Sequence, residues 1–184
     1  MSPRLDAELA ARGLARSRSH ATQLIAGGLV NVDGRPVVKA SAQVDESSAL
    51  EVAGADHYVS RGAHKLIAAL DAFSIAVDGQ VALDLGASTG GFTQVLRERG
   101  ARPVLAVDVG HGQLSTVVAS DPDVVSVEGY NVRFMTADSL AAATGIETRP
   151  RVVTGDLSFI SLTHVLPAVV ATAAPGADAV LLIK

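Results

Sequence analysis

Short apolar runs recur along the later two thirds of the chain, and segments long enough for helices separate them. Each run has four or five residues and is rich in Val, Leu and Ala, which is typical of buried strands. The runs occupy residues 81–85, 103–107, 124–127, 151–154 and 179–183. Strands that alternate with helices favour an α/β fold with a parallel, doubly wound sheet. The pattern therefore predicts a five-stranded sheet with ligands at the carboxyl ends of its strands.

The segments between these runs predict helices at residues 65–72, 92–98, 113–119, 139–143 and 162–173. The last of them lies in the longest stretch without Asp, Glu, Lys or Arg, residues 157–177, which is long enough to span a bilayer. Pro167, Pro175 and Gly176 interrupt that stretch, so we predict a loop, a buried helix and a turn. The first residues lack the apolar core of a signal peptide. A cytoplasmic protein without stable membrane association is expected.

A different pattern occupies the first 55 residues. Residues 5–12 predict a short helix ended by Gly13, and Ser17 or Ser19 can cap a second helix. Residues 29–32 and 35–38 flank Asp33-Gly34, a pair typical of a type I′ hairpin turn. Short strands are expected around Val44 and at residues 50–52, and residues 54–56 are the best linker candidate. We predict a small α+β module at this end.

Composition and charge sharpen the division into two modules. The chain has no cysteine, which excludes disulfides, thiolate metal sites and a cysteine nucleophile. Its net charge of -4 does not suggest a nucleic-acid-binding protein. However, residues 1–65 carry 8 Lys/Arg against 7 Asp/Glu, and residues 66–184 carry 7 against 12. The average therefore hides a locally basic module in front of an acidic one.

The first module resembles the RNA-binding domain named after ribosomal small-subunit protein four. Matching segments include Arg4-Leu5-Asp6, Ser17-Arg18 and residues 30–34, in the same order over about fifty residues. The resemblance implies RNA-phosphate contacts by the early arginines Arg4, Arg12, Arg16 and Arg18. The alternative is that these arginines form an ordinary solvated helix face.

A glycine-rich turn follows the first strand of the second module. Its spacing, Gly86, Gly90 and Gly91, does not fit the dinucleotide pattern G-x-G-x-x-G. Asp108 ends the next strand, where an acid can bind ribose hydroxyls. This arrangement resembles the first motif of S-adenosylmethionine-dependent methyltransferases. The cofactor-binding residues that the resemblance implies are Asp84, Gly86, Ala87, Ser88, Thr89, Gly90, Gly91, Phe92 and Asp108. The alternative is a structural strand-turn-helix without a ligand.

The chain as a whole resembles the TlyA family, RNA 2′-O-methyltransferases that are also labelled haemolysins. The strongest matches are residues 59–66, 86–93, 108–114 and 156–162. The resemblance implies a Rossmann-like, FtsJ-like catalytic domain that uses S-adenosylmethionine. It also implies that the partner is ribosomal RNA, methylated on cytidine riboses of the 16S and 23S molecules.

The FtsJ-like group uses a Lys-Asp-Lys-Glu set, and three positions match it. Lys65 corresponds to the first Lys, Asp156 to the Asp and Lys184 to the second Lys. Lysine ammonium groups near a ribose 2′-hydroxyl favour the alkoxide that develops during methyl transfer, and a carboxylate orients them. A solvated Lys65 and a helix-capping Asp156 are the alternatives. Arg61 and His64, in the same motif as Lys65, either contact RNA phosphate or shape the entrance.

We divide the chain into an RNA-binding domain at residues 1–55, a linker with the start of the catalytic domain at 56–64, and a methyltransferase domain at 65–184. Relative to the family pattern, the fourth catalytic residue and the last two strands are missing, and the linker differs. We therefore expect a sheet that is incomplete at its C-terminal end, with an unpaired edge, and either weak cofactor binding or aggregation. Two other functions stay open: an RNA-binding protein with a nonfunctional methyltransferase-like domain, and a membrane-active haemolysin.

Overall fold

The computed structural model describes residues 3–15, 17–52 and 57–184. The chain divides into two compact units, Met1–His57 and Tyr58–Lys184, which we call unit 1 and unit 2. The linker candidate at residues 54–56 and the RNA-binding candidate Arg16 lie outside the described residues.

Unit 1 contains two helices and a small antiparallel sheet. Its elements are α1 (Leu5–Ala11), α2 (Arg18–Ala26), β1 (Val30–Val32), β2 (Arg35–Pro36) and β3 (Leu50–Val52). The strand order is β2-β1-β3. Leu5, Leu9, Ile25 and Val30 are fully buried and form the centre of its core. These elements confirm the small α+β module.

Local chemistry explains the element boundaries in unit 1. Ser17 caps the start of α2, because its Oγ accepts a hydrogen bond from the His20 backbone N–H at 3.2 Å. Asp33 and Gly34 have φ angles of 52° and 74°, which the predicted type I′ turn requires. The strand predicted around Val44 is absent from the described structure. Val44 is buried in the core instead, next to a single isolated bridge at residue 43.

Unit 2 is built on five parallel strands, as predicted. They are β4 (Ala82–Leu85), β5 (Val104–Val107), β6 (Val124–Val127), β7 (Val152–Gly155) and β8 (Asp178–Leu181). Their order is β6-β5-β4-β7-β8. The chain therefore adds β5 and β6 on one side of β4 and then adds β7 and β8 on the other side. The change of direction creates a switch point beside β4, where ligands of such sheets bind.

The strands end in register. Leu85 of β4 pairs with Val107 of β5 on one side and with Gly155 of β7 on the other. Val107 in turn pairs with the last residue of β6, Val127. Since parallel strands end at the same edge, the residues that follow these four lie side by side along that edge of the sheet. The candidates Gly86, Asp108 and Asp156 all lie there.

Five α-helices and one short 3₁₀ helix accompany these strands in the described part of unit 2. They are α3 (Gly62–Ala72), α4 (Gly91–Glu98), α5 (Thr116–Ala119), α6 (Ala137–Thr144), α7 (Leu162–Thr172) and the 3₁₀ turn Val132–Phe134. Helix α5 starts later than predicted because Ser115 Oγ caps it at Val118 N. Helix α6 is longer than predicted because Thr136 and Ser139 form a capping box.

Alternate residues of the central strands face opposite sides of the sheet. Ala82 and Val104 pack with Leu66 and Leu96 in one cluster. Their neighbours Leu83 and Leu105 belong to a second cluster with α6 and α7. Both faces of the sheet are thus covered, which explains why the strands read as continuous apolar runs.

Replacing Leu105 tests this core. The side chain is fully buried in β5, so Leu105→Ala should lower the free energy of unfolding by about 2–5 kcal/mol. Val117→Ala is the control, because Val117 is 71% exposed. Urea unfolding followed by circular dichroism measures both, and a loss below about 1 kcal/mol for Leu105→Ala would contradict the burial.

Candidate active site

The turn after β4 comes so close to its neighbours that side chains do not fit. Gly86 and Gly90 have φ angles of 75° and 96°, in the left-handed region. A Cβ at Gly86 would lie 3.0 Å from Leu157 Cδ2, and one at Gly90 would lie 2.8 Å from Leu114 Cδ1. Both positions therefore need glycine for space as well as for backbone conformation.

Two adjacent cavities open at this turn. Cavity 1 has a volume of about 470 Å³, and Asp108, Gln113, Tyr130, Asn131 and Phe159 are among its lining residues. Cavity 2 has a volume of about 600 Å³, and Ser60, Arg61, Lys65, Phe92 and Lys184 contribute to its lining. Both volumes are within the range of small-molecule sites. The cavities share Gly86, Ser88, Asp156 and Ser158.

Most of the predicted cofactor-binding residues line at least one cavity. Those that do are Gly86, Ala87, Ser88, Thr89, Gly91, Phe92 and Asp108. Gly90 and Asp84 are in neither lining. Gly90 instead packs against α5, where Val118 Cγ1 would lie 3.0 Å from an added Cβ. The absence of a side chain at Gly90 allows α5 to approach the turn.

Asp108 connects the turn after β4 to the loop after β5. Its Oδ2 accepts a hydrogen bond from Ser88 N at 2.8 Å, and its Oδ1 accepts one from Gly110 N at 2.7 Å. A carboxylate oxygen can accept more than one hydrogen bond, so ligand hydroxyls in cavity 1 can still bind Asp108. The two backbone bonds fix the orientation of the carboxylate toward that cavity.

Asp84 has a position that sequence reasoning did not anticipate. Its side chain is 1% exposed and accepts hydrogen bonds from Thr93 Oγ1 at 2.7 Å and Thr154 Oγ1 at 3.1 Å. Burial raises the pKa of this carboxyl to about 6, although the two threonines oppose the shift. Asp84 therefore joins β4 to α4 and β7 beneath the turn, instead of lining a cavity as a cofactor ligand.

The three catalytic candidates meet at the boundary of the two cavities. Lys184 Nζ lies 2.5 Å from Asp156 Oδ1, and Lys65 Nζ lies 3.6 Å from Asp156 Oδ2. Asp156 Oδ1 is buried, and its side chain is 25% exposed, whereas both lysines are about half exposed. One carboxylate thus holds two ammonium groups, one from α3 and one from beyond β8, at the edge of open space.

The structure adds residues to this site that sequence reasoning missed. Ser158 Oγ accepts a hydrogen bond from Lys184 Nζ at 3.1 Å. Phe159, which follows it, has a φ angle of 65° and a fully exposed ring at cavity 1. Both belong to the loop after β7, whose motif was recognised in the sequence. Only the fold shows that this loop forms a wall of both cavities.

Arg61 and His64 differ in their environments. Arg61 is exposed, directly precedes α3 and lines cavity 2 together with Lys65. His64 is outside the lining of both cavities and makes an edge-on contact with the Tyr58 ring, with centroids 5.6 Å apart. Arg61 is therefore the better placed of the two to bind an anion in cavity 2.

In unit 1, Arg12, a predicted RNA-phosphate contact, has a structural role within the protein. Its side chain is 27% exposed and pairs with Glu8 at 2.7 Å. The same guanidinium donates hydrogen bonds to the backbone oxygens of Ser48, Asp45 and Glu46. These bonds attach the loop at residues 45–48 to α1, so few donors are left for RNA.

Arg4 and Arg18 are more exposed, and both pair with Asp6. The Asp6 side chain is only 6% exposed. The hydrogen bonds from Arg4, and then those from Arg18, lower the pKa of Asp6 to about 2 despite its burial. The carboxyl is therefore ionised at neutral pH.

Comparison with known protein families supplies the remaining evidence. A family model described as FtsJ-like methyltransferase matches residues 58–184, and one described as S4 domain matches residues 3–50. The chain belongs to the FtsJ-like methyltransferase family. Its resemblance to TlyA proteins is also confirmed, and the α/β fold agrees with the family.

Individual relatives are similar over nearly the whole chain. A Mycobacterium tuberculosis protein named 16S/23S rRNA (cytidine-2′-O)-methyltransferase TlyA is 51% identical over 98% of this chain and 66% of its own length. Hemolysin A of Brachyspira hyodysenteriae is 38% identical over 89% of this chain and 66% of its own length. The chain thus spans slightly less than two thirds of these curated relatives.

A solved structure of a hemolysin-like protein from Streptococcus thermophilus also matches. It aligns with a TM-score of 0.68 and 36% identity, over 100% of this chain and 66% of the other.

None of the helices in the described residues is both long enough and apolar enough to cross a membrane.

The pKa of Asp84 predicts a pH-dependent stability. The folded carboxyl keeps its proton up to about pH 6, whereas the unfolded one loses it near pH 4, so the folded state holds more protons between these values. Stability should therefore fall by about 3 kcal/mol as pH rises through this window. Asp84→Asn should remove that fall. Urea unfolding at several pH values tests this, and equal pH dependence in both proteins would contradict it.

The close packing at Gly90 predicts a second effect. Gly90→Ala places a methyl group against Leu114 and Val118 at positive φ, and should cost about 2–4 kcal/mol of unfolding free energy. Gly145→Ala is a matched control, because Gly145 has a φ angle of 73° but no atom within 4 Å of the added Cβ. Thermal and urea unfolding compare the two. Equal losses would mean that contact with α5 does not require glycine.

Proposed function

We propose that this protein transfers a methyl group from S-adenosylmethionine to a ribose 2′-hydroxyl of ribosomal RNA. The observation that carries the proposal is the placement of Lys65, Asp156 and Lys184 at the boundary of the two cavities. This arrangement brings two cations and one anion to the place where a cofactor in cavity 1 and a nucleotide in cavity 2 would meet.

Cavity 1 has the features that this cofactor requires. The glycine turn lets backbone approach a ligand closely, and the fixed carboxylate of Asp108 is suited to ribose hydroxyls. Tyr130 and Val132 add apolar surface for a nucleobase. S-adenosylmethionine supplies an activated methyl group on a sulfonium, so the protein need not activate the donor.

Cavity 2 suits a polyanion. Its lining includes three cationic side chains, Arg61, Lys65 and Lys184, against the single carboxylate of Asp156. A positive pocket of this kind binds the phosphates that flank a target ribose, since charge-assisted bonds to phosphate are strong. Arg61 at the start of α3 is the candidate for this phosphate contact.

The three charged side chains have distinct tasks in the proposed reaction. A ribose hydroxyl becomes a good nucleophile only as its proton passes to solvent water at the open edge of the site, and negative charge then develops on its oxygen. The ammonium groups of Lys65 and Lys184 stabilise that charge. Asp156 orients both ammonium groups, because each is within 4 Å of one of its oxygens.

Ribosomal RNA is the proposed substrate for two reasons. Residues 3–50 match the S4 domain model, and unit 1 carries exposed arginines at its helix starts. The M. tuberculosis relative is named for the cytidine 2′-O positions of 16S and 23S rRNA. Cytidine is accordingly the proposed target nucleotide, and the cytoplasm is the proposed compartment.

Site variants test the proposal directly. Asp156→Asn and Lys184→Met should each reduce methyl transfer at least 100-fold, while affinity for S-adenosylmethionine changes less than about threefold. Transfer is measured with tritiated cofactor and deproteinised 16S and 23S rRNA, and cofactor binding by calorimetry. Asp178→Asn is the control, because Asp178 is exposed at the opposite end of the sheet.

The same experiment separates this function from simple RNA binding. If the wild-type chain binds both cofactor and RNA but transfers no methyl group, it is an RNA-binding protein with an inactive methyltransferase fold. If Asp156→Asn and Asp178→Asn transfer equally well, the proposed catalytic roles are wrong.

A further inference from the structure

One buried carboxylate in unit 1 is surrounded by basic groups. Asp6 accepts two hydrogen bonds from Arg4, at 3.0 Å from Nε and 3.1 Å from Nη2. Arg18 Nη2 donates to the same oxygen, Asp6 Oδ2, at 3.2 Å. Asp6 Oδ1 also accepts from the Ala7 backbone N–H at 3.0 Å, which fixes the carboxylate to α1.

The Asp6 side chain is far less exposed to solvent than the two arginines that bind it. The Asp6 side chain is 6% exposed, whereas Arg4 is 48% and Arg18 is 62% exposed. The acid is therefore hidden beneath the two cations, and the surface presents positive charge. A buried carboxylate needs such cationic partners, and the two arginines supply them while about half of each side chain stays exposed.

The hydrogen-bond pattern leaves donors directed outward. Among the described residues, Asp6 is the side chain that binds these two guanidinium groups, through Nε and Nη2 of Arg4 and Nη2 of Arg18. Arg4 Nη1 and Arg18 Nε and Nη1 are therefore available to an external acceptor. A guanidinium fixed on one edge loses less rotamer entropy when its other edge binds phosphate.

We infer that Asp6 is a positioning residue that holds Arg4 and Arg18 together as one binding site for an RNA backbone phosphate. The inference rests on the proposed function, in which unit 1 binds RNA. Asp6 does not touch the RNA. It orders two arginines from separate segments, Arg4 directly before α1 and Arg18 at the start of α2.

Two explanations, net charge alone and positioning of the arginines by Asp6, predict opposite effects of Asp6→Asn on RNA affinity. Removing a negative charge beside a phosphate site should strengthen RNA binding if only net charge matters. If Asp6 positions the arginines, Asp6→Asn should weaken binding about 5- to 20-fold. The slope of log Kd against log salt concentration should also become shallower by about one, because fewer phosphate contacts form.

The experiment measures filter binding of the full chain to deproteinised 16S and 23S rRNA at several salt concentrations. The variants are Asp6→Asn, Arg4→Ala, the Asp6→Asn/Arg4→Ala pair and the control Glu8→Gln. Glu8 is on the same helix and pairs with Arg12, so its variant removes the same charge from a different arginine. Glu8→Gln should leave Kd within about twofold.

A double-mutant cycle gives a readout that a purely structural role would not change. Arg4→Ala should weaken binding clearly less in the Asp6→Asn protein than in the wild type, because the arginine is already disordered there. Additive effects, or tighter binding by Asp6→Asn, would overturn the inference.

Two further outcomes complete the test. If Asp6→Asn fails to fold by circular dichroism, Arg4→Lys and Arg18→Lys replace it, since lysine keeps the charge but loses the guanidinium geometry. Wild-type affinity in both lysine variants would overturn the positioning role. If Arg4→Ala binds RNA as well as the wild type, Arg4 is not part of a phosphate-binding site and the inference is wrong. Methyl transfer by the wild-type chain is measured separately, so the proposed function is judged on its own result.

Discussion

The positions of the site residues in unit 2 depend on the alignment of four strand ends. Leu85, Val107, Val127 and Gly155 pair across three ladders, so the next residue of each strand emerges at one edge. A shift of β7 by one residue would move Asp156 away from the glycine turn and reverse the faces of its neighbours. The backbone pairing of the sheet, more than any single side-chain contact, therefore sets the distances within the site.

Three aspartates of unit 2 show how environment divides one residue type into different roles. Asp84 is buried beneath the turn and binds two threonines, so it has a raised pKa and a structural task. Asp108 accepts bonds from two backbone N–H groups and faces cavity 1. Asp156 instead holds two lysines. They lie on or directly after three neighbouring strands, Asp108 after β5, Asp84 within β4 and Asp156 after β7.

Much of this organisation was predictable because it depends on short-range sequence patterns. The five strands follow from apolar runs, the Asp33-Gly34 turn follows from backbone preference, and the three catalytic candidates follow from motif positions. The roles of Asp84 and Arg12 were not predictable, since they depend on partners distant in sequence. Thr154 and the carbonyls of residues 45–48 become neighbours only in the folded chain. The start of α3 at Gly62 was missed because Arg61, directly before it, makes no side-chain capping hydrogen bond.

The position of Lys184 makes the charged site around Asp156 depend on the docking of β8. Lys65 comes from the first helix of unit 2, and Lys184 follows its last described strand, β8, which pairs only with β7 in the described sheet. A chain in which β8 has not yet docked still has its glycine turn and Asp108, but it has only half of the positive charge around Asp156. Such a chain would lack one of the two ammonium groups that contact Asp156. The charged cluster of Lys65, Asp156 and Lys184 is therefore complete only when β8 is paired with β7.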